Sequence, residues 1–338
     1  MTTEIVMQTI VSGLLTGFVF ALVAVGLTLI FGMMEIVNFA HGEFLMLAMY
    51  ASFWMWALFA LDPLLSLPLT VIALMLLGIV TYRGLIKPIL NAPMLAQIFA
   101  TFGLSVFLRS GAQFLWTPNF RVVQTSMVSD VRLEFGGVFV GGPQLVAAAG
   151  AVVTFAFIYW LVERTEVGRA LMATAEDRET ALLMGIDSDR MFTLAWAIGS
   201  GCVGVAGALL ATYYYIQPEV GLVFGLTTFV VVAMGGFGSI PGAFIAGILV
   251  GLIQVLSGFF IEPSWKFAVV LAIYLLLLSS LAAWLQRMAL KGRSYTTVSG
   301  KGFRPRRLEL GAWRWASGVL ALVYVVGKGP GSTTLFAL

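Results

Sequence analysis

ERTEVGRALMATAEDRETALLMGIDSDR, residues 163–190, is the longest charged stretch between the N-terminus and the last apolar run, and its surroundings decide the fold. Thr174 and Asp177 form a [ST]-x-x-[DE] pattern, which satisfies the orphan amides of a helix start. Glu176, Asp177 and Glu179 fall in the first turns, where the helix dipole favours negative charge. Gly185 stands where a helix stops. The pattern predicts one helix over 175–184, held in water between two apolar runs. Asp177, Arg178 and Glu179 lie on one face, and Leu182, Leu183 and Met184 crowd the C-terminal end. Such a helix suits docking on a soluble partner; the plainer reading is a solvated loop helix.

Outside this island the chain is greasy. Of 338 residues, 60% are hydrophobic and 10% charged, whereas a soluble domain carries about a quarter charged residues. The expected fold is an all-α polytopic membrane protein. Glycine, at 37 residues, suits close helix packing in lipid. Cys202 is the single cysteine, so no disulfide framework or cysteine metal site is expected. His41 is the single histidine, which removes most histidine-base and metal chemistry. The net charge of +3 comes from the C-terminal tail, and no nucleic-acid partner is expected. The N-terminus lacks a basic n-region, so its apolar run reads as a span rather than a cleaved signal.

Apolar runs fall at 8–31, 44–61, 64–82, 95–116, 143–162, 191–216, 221–234, 242–260 and 266–286, which gives about eight to nine transmembrane helices. The short 221–234 run ends in Gly235-Gly236-Phe237-Gly238-Ser239-Ile240-Pro241-Gly242, which predicts a broken or re-entrant element. Basic residues follow the third run (Arg83, Lys87), the fifth (Arg164, Arg169, Arg178, Arg190) and the last (Arg287, Lys291, Arg293, Lys301, Arg304, Arg306, Arg307). Nine crossings put all three groups on one side, the cytoplasm by the positive-inside rule, with the N-terminus outside. Residues 117–142 are then external, and VRLEFGGVFV reads as a β-hairpin turning at Gly136-Gly137. Glu219 and Glu262 read as solvated carboxylates at external span ends.

A second polar island, GMMEIVNFAHGE (32–43), carries Glu35, Asn38, His41 and Glu43 but no basic residue. Polar groups at membrane depth face a cavity or one another; the alternative is an interfacial loop. Arg109, inside the fourth run, reads as an arginine snorkelling to the outer interface, with a place on a polar route as the alternative. The G-x-x-x-G pairs Gly13/Gly17, Gly221/Gly225, Gly238/Gly242 and Gly247/Gly251 are helix-packing signals. Gly26-Leu27-Thr28 with Gly42-x-Phe44 is echoed by Gly225-Leu226-Thr227 with Gly242-x-Phe244, the mark of a parallel internal repeat. No G-x-x-x-x-G-K-[ST] is present, so any ATP must be bound by another chain. One histidine and one cysteine assemble no catalytic triad or metal site.

Three stretches resemble the permeases of ABC importers for branched-chain amino acids and related polar solutes. They are GLTLIFGMMEIVNFAHGEFLML (26–47), GRALMATAEDRETALLMGID (168–187) and VVVAMGGFGSIPGAFIAGILVG (230–251), and the likeness covers about residues 5–280. It implies a transport subunit without an ATPase site of its own. The subunit binds no cofactor and works with ATP-binding subunits that carry the ATP, a second related permease and a periplasmic solute-binding protein in a bacterial inner membrane. On this resemblance Gly168, Arg169, Ala173, Asp177, Arg178, Ala181, Gly185 and Ile186 couple the spans to the ATPase. Asn38, His41, Glu43, Gly236, Gly238 and Ser239 are the expected lining of the passage, inferred from polarity at membrane depth. A permease domain over 1–286 is followed by a basic, partly apolar tail, 287–338, longer than the family's usual ending. Alternatives to amino-acid import are a urea or short-amide permease of the same family and a stand-alone secondary transporter or channel.

Overall fold

The computed structural model describes residues 3–279 apart from 136, 262–264 and 277–278. Glu262, the turn residue Gly136, the last run beyond 279 and the tail 287–338 with its basic group lie outside the described residues. All nine apolar runs contain helix. The elements are α1 (Thr3–Met34), α2 (His41–Phe59) and α3 (Pro63–Thr81), which continues through a π-helical turn (Tyr82–Ile86) into α4 (Lys87–Ile89). Then come α5 (Met94–Trp116), β1 (Arg132–Phe135), β2 (Val138–Gly141), α6 (Gly142–Arg164), α7 (Glu166–Glu176), α8 (Arg178–Leu183), α9 (Ser188–Leu210), α10 (Val220–Gly235) and α11 (Ile240–Phe260). A final described helix, α12, runs Lys266–Leu276. Among the described residues seven helices are long and apolar enough to cross a membrane, and α10 and α12 are shorter apolar helices.

Side-chain caps set several of these starts. Asp62 accepts from the Leu64 amide at 2.8 Å, with Pro63 opening α3. The other oxygen of Asp62 takes the Met127 amide at 2.6 Å, which ties the 117–131 connection to the same end. Ser239 caps α11 through the Gly242 amide at 3.2 Å.

The core is built on α1, α2 and α9, which together carry most of the fully buried apolar side chains. Glycine decides how closely their neighbours approach. A Cβ on Gly17 would meet the backbone of Ile248, and one on Gly251 would meet Gly17 itself. The Gly13/Gly17 and Gly247/Gly251 pairs therefore form a single seam between α1 and α11, as small residues allow where lipid removes the hydrophobic drive. Gly42 at the start of α2 seats on Gly221 and Gly225 of α10 in the same way.

The internal echo has a structural counterpart. Helix–break–helix units α1–α2 and α10–α11 pack crosswise, α1 on α11 and α2 on α10, so exchanging the units preserves the pairing. Ring pairs Phe20–Phe224 (5.6 Å) and Phe31–Phe237 (4.5 Å) show that α1 and α10 run in the same direction.

The hairpin forms as read, antiparallel with Phe135 opposite Val138, which leaves a two-residue turn whose Gly137 has φ of 83°. Gln8 of α1 holds it. Its Nε2 donates to the Phe139 carbonyl at 2.6 Å, and its Oε1 accepts the Phe139 amide at 2.7 Å.

Candidate functional site

Two regions gather the residues singled out in the sequence. In the charged island, three short side chains write three helix starts. Thr165 accepts from the Gly168 amide at 3.1 Å and opens α7. Asp177 Oδ1 accepts from the amides of Glu179 and Thr180 at 2.9 and 3.1 Å and opens α8. Asp187 accepts from Asp189 and Arg190 and opens α9. The single helix expected over 175–184 is thus two helices broken at Asp177, and Thr174 is not a cap. Its hydroxyl lies inside α7 and donates to the Ala170 carbonyl at 2.8 Å, the usual fate of a threonine within a helix. Gly185 does stop α8, at φ of 83°, with the Ile186 amide bonded back to Ala181 at 3.0 Å.

Of the eight residues assigned to coupling, Arg169, Ala173, Asp177, Arg178 and Gly185 are exposed and Ile186 is half-buried. Gly168 and Ala181 are buried. A Cβ on Gly168 would strike the carbonyls of Leu161 and Val162, so this glycine lets α7 fold back under α6. Arg178 turns toward α9, its guanidinium 5.5 Å from the Phe192 ring. Leu182, Leu183 and Met184 stand out at 52%, 87% and 78% exposure, three consecutive apolar side chains on a charged loop. The Thr180 hydroxyl and amide, donating to Asp177, hold its carboxyl below the usual range. Asp189 at the foot of α9 takes Lys87 Nζ at 2.8 Å and the Tyr82 hydroxyl at 2.9 Å. The basic residues after the third and fifth runs therefore share one end of the bundle.

The second region is the break between α1 and α2. Glu35 takes φ of 55°, a left-handed conformation costing roughly 1–2 kcal/mol for a residue with a side chain. It turns the chain back along α1. Six residues later His41 Nε2 meets the Val23 carbonyl at 2.9 Å, roughly 16 Å up the helix from Met34. Non-helical backbone at such depth survives only inside protein, and here it is covered. Asn38 Oδ1 accepts from the Ala40 amide at 3.1 Å, Thr101 donates to the Val37 carbonyl at 3.0 Å, and Phe39 lies between Phe102 and Phe229.

Arg109 is not a snorkelling arginine. Its Nη2 and Nε donate to Glu43 Oε1 at 2.5 and 3.0 Å, and Ser105 donates to the same oxygen at 3.2 Å. The buried carboxylate draws the guanidinium inward, because an unpaired buried charge costs far more than an arginine held back from the interface. Ser105 is a functional candidate that the sequence reading missed, and Arg109 is one that it gave only as the alternative to snorkelling. The available signal was Glu43 itself, a carboxylate within the apolar chain that needs a cation.

The six residues expected to line a passage do not converge. Glu43 lies against Gly221 near the start of α10, whereas Gly236, Gly238 and Ser239 follow its end. Asn38, His41 and Glu43 are buried within the chain. Gly236 and Gly238, with φ of 90° and 83°, make the break before α11, and a Cβ on Gly32 would touch Gly238. Among the described residues no three His, Cys, Asp or Glu side chains are placed to hold a metal ion.

A bundle of apolar helices with one covered break, a second break before α11, a buried charge pair and a capped polar loop is the architecture of a multi-pass membrane protein. Comparison with known proteins sharpens this. Residues 9–279 match the family described as the permease component of branched-chain amino acid transport systems. The chain is 29% identical over 287 residues to the high-affinity branched-chain amino acid transport permease BraD of Pseudomonas aeruginosa, covering 80% of this chain and 92% of that protein. It is 31% identical over 310 residues to the corresponding LivH permease of Escherichia coli K12, with the same coverage. A probable LivH of Methanocaldococcus jannaschii is 27% identical over 248 residues, 72% of this chain and 78% of that one. No solved structure matches the chain. The chain belongs to the branched-chain amino acid transport permease family.

Proposed function

We propose that the chain is the membrane subunit of an ATP-driven importer that passes branched-chain and other hydrophobic amino acids into a bacterial cytoplasm across the inner membrane. ATP would be bound and hydrolysed on separate subunits, a second related permease would complete the passage, and a periplasmic solute-binding protein would deliver the cargo. The island end of the bundle would face the cytoplasm; the hairpin and the N-terminus would face outside. The observation that carries the reading is the helix α8, which holds Leu182, Leu183 and Met184 out of the loop although none of the described residues covers them. Exposed apolar side chains rimmed by charge mark a docking surface, and the names of the relatives supply the cargo class.

A cysteine at Leu183, in a Cys202→Ser background that removes the buried native thiol, is expected to crosslink to a co-expressed ATP-binding subunit in a nucleotide-dependent manner. Absence of a crosslink, with both proteins inserted and present, would return the chain to a self-sufficient transporter. Truncation after residue 294 is expected to leave uptake within about twofold of the full chain, because the family match ends at residue 279. Loss of inserted protein on truncation would give the tail a structural role.

A further inference from the structure

The Glu43–Arg109 pair uses only half of its bonding capacity. An arginine fork ordinarily spans both oxygens of a carboxylate, but here Nε and Nη2 both donate to Oε1. Oε2 is left buried with no hydrogen-bond partner among the described residues, on a side chain 2% exposed. What lies beside it is Gly221, which has no side chain to cover it. Arg109 is the more open member at 22% exposed. Phe102, one turn of α5 beyond Ser105, stands next to Phe39, and Phe39 in turn lies 5.1 Å from Phe229. A cation, an anion with a free oxygen and an aromatic wall are thus grouped where α5 meets the covered break.

We infer that this pair is a binding site for the zwitterionic end of an α-amino acid in transit, an assignment that rests on the importer reading above. The solute carboxylate takes the guanidinium fork of Arg109, the solute ammonium donates to Glu43 Oε2, and the aliphatic side chain lies on Phe39 and Phe102. A zwitterion neutralises both members as they part, so neither charge is left unpaired at membrane depth. A neutral amide brings no charge to either. The rearrangement needed is a shift of α5, which packs chiefly on α2 and is the least buried of the long helices.

The test is L-leucine uptake into proteoliposomes holding the whole importer, with both permeases, the ATP-binding subunits and the solute-binding protein. R109Q and E43Q are each expected to lower uptake about tenfold or more. The decisive protein is the E43Q/R109Q double variant. If the pair only ties α2 to α5, removing both charges leaves nothing uncompensated, and uptake returning to half of wild type or better overturns the assignment. A solute site predicts that the double variant stays about tenfold down, while the loaded binding protein still stimulates ATP hydrolysis. Should the double variant fail to assemble, R109K decides. It keeps the charge but loses the fork, so KM for leucine should rise about fivefold with stimulated ATP hydrolysis unchanged, and a wild-type KM overturns the site. Wild-type proteoliposomes that import acetamide but not leucine would instead overturn the cargo reading before any variant is compared.

Discussion

Valine in place of Gly42 is expected to leave almost no assembled protein in the membrane. A Cβ at this position runs into the Gly221 carbonyl and the Gly225 backbone, and neither has a side chain that can turn away. The helices must separate instead, which also withdraws His41 from Val23 and Glu43 from Arg109. Overpacking alone costs ~1–3 kcal/mol, and losing a buried ion pair adds to it. The folded fraction read by size-exclusion profile should fall more than tenfold, and alanine should already lower the midpoint of thermal unfolding. Gly84→Ala is the control, since nothing lies within 4 Å of a Cβ there. A Gly42→Val protein with a wild-type profile would mean that α2 and α10 are not in contact.

Arginine in place of Asp177 is expected to lower uptake more than tenfold while membrane levels stay unchanged. Asp177 is exposed and its side chain bonds only to Glu179 and Thr180 of α8, so its loss does not reach the transmembrane core. It removes the cap and places a cation at a helix start, where the dipole opposes it. The three exposed apolar side chains then lose their fixed platform. Asp177→Asn should retain most uptake, because asparagine caps nearly as well. The lowered pKa fixes the sign of the acid response. The cap contributes fully above the ordinary carboxylate range and fades only as pH falls through the lowered value. Protection of the Glu179 and Thr180 amides against hydrogen exchange should therefore persist into the ordinary carboxylate range and collapse below it. Normal uptake by the arginine variant would remove α8 from coupling.

Most of the helical order was legible because it rests on local and compositional signals. Apolar runs of membrane length mark the spans, Gly236 and Gly238 mark the break before α11, and the paired G-x-x-x-G spacings mark the α1–α11 seam. The hairpin followed from alternation around two glycines. The island misled where two signals competed. Thr174 and Asp177 both suit a cap, and only the preceding helix, opened by Thr165, decides that Thr174 is interior. The fold-back at Glu35 was hidden because glycine is the usual left-handed residue and none stands there. Arg109 was misplaced because its partner is 66 residues away, and no local pattern encodes a pairing across that distance. The residues expected to line the passage fall in two groups, because Glu43 lies beside the start of α10 while Gly236, Gly238 and Ser239 follow its end.

The Gln8 clamp has a mechanical consequence. A lone two-stranded hairpin is marginal in water, and its edge is open. By offering Phe139 one donor and one acceptor, the side-chain amide of Gln8 stands in for a third strand and fastens the hairpin to the top of α1. The same helix, 32 residues and about 48 Å long, touches the α10–α11 break at its foot through Gly32 and Gly238. One stiff rod thus joins the face that would receive cargo to the break before α11. The hairpin and the break before α11 are therefore attached to opposite ends of a single helix, with no joint between them.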